Sequence, residues 1–175
     1  MFLASLFSSV KHAKAIPMTS TPASFLITAD RDSVCAGDDI ESHDRPFTVP
    51  LYASVPELIR LATNACGLPS ISGDKATWIV KAGGRDGKPI AVVAQEWEEP
   101  RLLVPGTTTV QSIFGEHKLI MFLKYLRHAC GIGIKGGAQK HKLTLFFRYW
   151  CQANPDTVFN ALMSNSPLPS PYDRT

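Results

Sequence analysis

The sequence predicts an α+β domain: a mixed β-sheet packed by one main helix and followed by a C-terminal helical extension. Three observations carry that expectation. Over Ala76–Trp97, Trp78, Val80 and Ala82 alternate with Thr77, Ile79 and Lys81, and a second apolar run, Ile90–Ala94, follows Gly83-Gly84-Arg85-Asp86-Gly87. β-Branched and aromatic residues around such a turn make a β-hairpin, which needs flanking segments to cover its apolar face. Ser54-Val55-Pro56-Glu57 is a capping box ahead of Leu58, Leu61, Ala62 and Ala65, which share one helical face, and Gly67 ends the helix before Pro69. That face should lie across the sheet. Finally, Leu143, Phe146, Phe147 and Trp150 recur at helical spacing within Ala138–Gln152, which predicts the helical extension.

In chain order, residues 1–24 read as a flexible leader. Apolar Met1–Val10 precedes Lys11 and Lys14, and no acid occurs before Asp30. Ala13-Lys14-Ala15 suits a signal cleavage site, but the charges follow the apolar run. The serines suit a transit peptide, but arginine is missing; a frayed tail is the third reading. Residues 25–130 form the predicted core domain. Phe25–Ala29 is a first strand, the acidic stretch Asp30–Arg45 a long exposed turn, and Phe47, Val49 and Leu51 one face of a second strand whose prolines suit a sheet edge. After the capped helix and the hairpin, Glu98-Glu99-Pro100 leads to a short strand at Arg101–Val104. Thr107–Gly115 is loop or a helical turn. Leu119–Leu126 fits a helix face and a buried strand equally. Residues 131–165 make the basic helical extension, in which Asn154-Pro155-Asp156 opens a short helix through Val158, Phe159 and Leu162. Residues 166–175 are a Pro-rich, loose tail.

The chain has 175 residues, 45% of them hydrophobic and 19% charged, which excludes wholesale disorder. No apolar run approaches the ~20 residues of a membrane span. The net charge of +3 is unevenly spread. Residues 1–100 hold nine Lys/Arg against twelve Asp/Glu, residues 101–175 nine against three, and no acid lies between Lys118 and Arg148. That asymmetry suits an anionic partner for the C-terminal half, attraction between the two halves, or attraction between protomers. Cys35, Cys66, Cys130 and Cys151 are scattered, without a C-x-x-C pair, and read as free thiols of an intracellular, cytoplasmic protein; residues 1–17 leave organellar import and secretion open.

The order strand, long turn, strand, capped helix, strand, turn, strand, loop, apolar run over Phe25–Leu126 resembles ubiquitin-like β-grasp domains. The resemblance implies that one helix crosses a mixed sheet, that Leu119–Leu126 is a final strand inserted beside the first, and that the domain is a recognition module. Fold does not fix function. The leading expectation is a non-enzymatic protein-interaction module acting through the sheet edge or the C-terminal helix, with Phe146, Phe147 and Trp150 as partner-binding residues and self-association included. The alternative is a nucleic-acid-binding module. Lys118, Lys124, Arg127, Lys135, Lys140, Lys142 and Arg148 are interleaved with Phe122, Tyr125 and later aromatics, a composition that can bind phosphates and stack on bases.

A small enzyme with an unidentified site is the third reading. Cys130 beside His128, and His43 beside Asp44, are sequence neighbours without an orienting third group. His117, His128 and His141 have no metal-site spacing. Asp30, Asp32, Asp38 and Asp39 could supply oxygens to a divalent cation, but a solvated loop is the better account of them. Gly131–Gly136 matches G-x-G-x-x-G without the strand and helix that a dinucleotide site requires. No metal and no cofactor is expected.

Overall fold

The computed structural model describes residues 23–115, apart from 36, 38 and 74, and residues 143–172. Ser24–Arg31 (β1) and Arg45–Pro50 (β2) are followed by Val55–Cys66 (α1), then by the hairpin Thr77–Ala82 (β3) and Lys88–Ala94 (β4). Arg101–Leu102 (β5) is short, residues 110–115 are helical (α2), and Thr144–Tyr149 (β6) precedes Pro155–Met163 (α3). The strands form one mixed sheet in the order β2-β1-β6-β3-β4-β5. β6 runs parallel to β1 and antiparallel to β3.

The central strand corrects the sequence reading. The helix expected over Ala138–Gln152 is strand at 144–149, in the middle of the sheet, whereas the short helix expected to open at Asn154-Pro155-Asp156 is present as α3. The reason is two-sided burial. Leu145 and Phe147 enter the main core, while Phe146, pointing the opposite way, is also buried. A strand covered on both faces reads as a continuous apolar run, and here it mimics a helical stripe. Leu119–Leu126, expected as the last strand, lies outside the described residues; the place between β1 and β3 is filled by β6.

Hairpin and helix follow the sequence reading. Gly83 and Gly84 hold positive φ in the β3–β4 turn, and a Cβ on Gly87 would stand 2.1 Å from the Ala82 carbonyl oxygen, so a side chain has no room there. The Ser54 hydroxyl accepts from the Glu57 amide, 3.4 Å away, as half of the capping box. The other half is not made: the Glu57 carboxylate takes Arg60 at 2.8 Å instead. Gly67 caps the C-terminus in the left-handed region, donating to Thr63 O. α1 packs on β1 and β2 and buries Val55, Leu58, Ile59, Ala62 and Cys66, a stripe rotated slightly from the predicted one, with Leu61 and Ala65 partly buried. Fully burying a Val, Leu or Ile is worth about 1.5–3 kcal/mol, far above the few tenths by which Thr63 and Asn64 disfavour helix.

A second, smaller core lies on the opposite face, where Val158 of α3 packs against Ile79 and Val92. Thr77 Oγ1 donates to Ala153 O at 2.7 Å and ties the start of α3 to β3. The tail is anchored rather than loose at its start: Leu168 joins the second core, and Trp150 Nε1 donates to Pro169 O at 3.0 Å.

Among the described residues β2 is an edge strand, and its outer edge is blunted. Leu51 N donates to Ala23 O, so Val49 and Phe47, two and four residues on in register, also face β1 with their amides. Pro46, Thr48 and Pro50 therefore turn their backbone nitrogens outward, and two of the three carry no N–H. A strand of another chain would find a single donor on this edge.

Candidate functional site

Three places bring polar or aromatic side chains together. The first is the loop after β1. Asp39 accepts from Arg31 at 2.6 and 3.0 Å and from the Val34 amide at 2.9 Å, which folds the loop back onto the strand end. The Arg31 guanidinium, then the Val34 amide, hold the Asp39 carboxyl far below the usual carboxylate range. His43 Nε2 stands 3.0 Å from Asp39 Oδ1, buried and without an aligned hydrogen bond. Asp32 pairs with Arg85 at 2.6 Å and accepts from the Tyr149 amide at 3.1 Å. Asp32 and Asp39 are thus spoken for by cations and amides. Asp38 lies outside the described residues, and among those described no group of three acids, histidines or cysteines is arranged to hold a metal. This clasp serves the loop.

The second place is the face of β3 and β6 away from α1. Arg148, exposed, stands over the Trp150 ring at 5.0 Å, and Arg85 over Phe146 at 4.7 Å. Lys81 is close enough to both that burial and these cations lower its pKa, and its Nζ donates to Arg85 O at 2.6 Å. Asp86 and Asp32 lie in the same field and act in the opposite direction. Of the seven basic residues singled out from the sequence, Arg148 alone is described. Lys118, Lys124, Arg127, Lys135, Lys140 and Lys142 lie outside the described residues. Phe146 and Phe147 were expected to meet a partner. Both are buried, Phe147 completely, so they serve the sheet instead; Trp150 is half-buried.

The third place was not anticipated. A groove of about 470 Å³ runs between the first turns of α1 and the connection from β4 to β5. Ile59, Val93 and Trp97 supply its apolar surface, and Glu57, Glu98 and Glu99 its acidic rim. Both walls are fixed. α1 is capped and packed on the sheet, and Arg101 lies over Trp97 at 3.9 Å while its guanidinium pairs with Asp156 of α3. The groove's cation, Arg60, is held by Glu57, which keeps the Glu57 pKa low. Glu98 and Glu99 are exposed and make no ion pair among the described residues. The signal in the sequence was Trp97-Glu98-Glu99, read only as the hairpin's end. A second cavity of about 320 Å³ lies beside α3, and its Gln152 and Asn154 side chains are committed to Ser72 O and the Thr157 amide.

No protein-family model, curated protein or solved structure matches this chain. Among the described residues no helix is long and apolar enough to cross a membrane.

Proposed function

We propose that the chain is a non-enzymatic protein-interaction module with a β-grasp-like sheet, and that its partner seats in the groove between α1 and the β4–β5 connection. The observation that carries this reading is the groove itself: an apolar floor at Ile59, Val93 and Trp97 inside a rim where Glu98 and Glu99 make no ion pair among the described residues. Recognition surfaces place a desolvated aromatic at the centre and charge at the periphery, where it steers and selects. The two routes expected from sequence fit less well. The β2 edge is blunted by Pro46 and Pro50, and the helix expected to carry Phe146, Phe147 and Trp150 is strand β6, with Phe146 and Phe147 buried in the sheet. Thiols at Cys66 and Cys151 go with a reducing, cytoplasmic setting.

The test is selection of binders from a random peptide display library on the full chain, followed by Trp97→Ala. Peptides that lose about tenfold or more in affinity on that change, as removal of an aromatic anchor does, support the reading. Peptides indifferent to Trp97, or none at all, contradict it. A second reading, binding of single-stranded nucleic acid, draws on Arg85 over Phe146 and Arg148 over Trp150, with Lys81 in the field of both. It requires oligonucleotide binding that weakens steeply with salt and falls on Arg148→Glu or Lys140→Glu with Lys142→Glu.

A further inference from the structure

The groove's chemistry specifies its occupant. Its rim carries Glu57, Glu98 and Glu99 against one cation, Arg60, which Glu57 already neutralises, while Ile59, Val93 and Trp97 offer apolar contact. Arg101, over the Trp97 ring, is taken by Asp156. A complementary segment must therefore bring Lys or Arg together with apolar side chains, and no acid. This sequence contains such a segment. From Lys118 to Lys142 it has Lys118, Lys124, Arg127, Lys135, Lys140 and Lys142 without one Asp or Glu, interleaved with Leu119, Phe122 and Leu126.

We infer that the groove of one copy receives the basic Lys118–Lys142 stretch of a second copy, so that the chain associates with itself through opposite charges. The inference rests on the groove reading and names its partner. The contact is heterologous: the surface that receives differs from the surface that inserts. The rim carboxylates act mainly on encounter and selectivity, with Trp97 and Ile59 supplying the desolvated centre. Association of this kind weakens as salt is raised, because the rim is solvent-exposed.

The heterologous geometry allows a test by complementation. The full chain is followed by sedimentation velocity across a concentration series, alongside Glu98→Lys with Glu99→Lys, which spoils the groove, and Lys140→Glu with Lys142→Glu, which spoils the inserted segment. Wild type should gain mass with concentration. Each double variant alone should associate about tenfold or more weakly, since like charges are juxtaposed. An equimolar mixture of the two should recover a one-to-one pair, because one intact groove then meets one intact segment. Glu98→Gln with Glu99→Gln is the milder control should charge reversal harm folding, and should weaken association in the same direction.

A wild type that stays monomeric throughout overturns the inference. So do variants that associate as wild type does, or a mixture that fails to pair although both variants are folded. Failure here is distinct from failure of the groove reading: library peptides that still depend on Trp97 would leave the groove occupied by a different protein.

Discussion

Leu145→Ala is the sharpest test of how the sheet is closed. Leu145 is fully buried in the main core, and its neighbours in register are Ala29 on β1 and Ala82 on β3. Removing three carbons loses about 2.4 kcal/mol of transfer free energy at roughly 0.8 kcal/mol each. Two short alanine side chains cannot reach into the space left behind, so the cavity remains and raises the loss to about 4 kcal/mol. In a domain of this length that is a fall of about 8–16 °C in Tm. Urea unfolding followed by tryptophan fluorescence, with calorimetry beside it, reads both quantities. Arg148→Ala is the internal control. It removes an exposed side chain whose described contact is the Trp150 ring, and should cost less than about 1 kcal/mol. A loss under about 1 kcal/mol for Leu145→Ala would refute the reasoning. A helix with Leu143, Phe146, Phe147 and Trp150 on its buried side would leave Leu145 off that stripe.

The β2 edge gives a second prediction: Pro46→Val with Pro50→Val restores two outward amides, and light scattering should show faster aggregation than wild type. The Asp39 clasp gives a pH prediction. Its carboxyl is held below the range of the unfolded chain, so its contribution is full above about pH 4 and drains away as pH falls further. Asp39→Asn should lower the urea midpoint at pH 6 and flatten the decline between pH 4 and pH 2; an unchanged acid limb would exclude the clasp. The cysteines should separate under iodoacetamide. Burial pushes the Cys66 thiol up to about 11, so it should stay unlabelled until urea unfolds the chain, whereas the less buried Cys151 should label earlier; mass spectrometry reads the sites.

What the sequence discloses and what it hides have physical causes. The β3–β4 hairpin is legible because one turn, Gly83–Gly87, admits so few backbone solutions, and α1 because its cap, stripe and terminating Gly67 all agree. The strand at β6 is hidden by its own position. Burial on both faces removes the polar alternation that marks a strand, and the spacing from Leu143 to Trp150 then fits a helix by coincidence. The clasp around Asp39 joins Arg31 to a residue eight positions on and depends on loop geometry that composition does not encode. The groove is legible only after folding, because Ile59 and Trp97 come from elements 38 positions apart and meet across the sheet's end. Trp97-Glu98-Glu99 sets a half-buried aromatic beside two exposed acids, but nothing in the chain's periodicity says what faces it.

The groove wall, the blunted edge and the clasp are all built on a sheet closed by Thr144–Tyr149, so the backbone NOE pattern of that segment is the most direct measurement. Strong sequential Hα–HN contacts, with cross-strand contacts from Phe147 to Val80 and from Arg148 to Ile79, are the result this account predicts. A run of sequential HN–HN contacts with Hα to HN three residues on would make the segment a helix and contradict it.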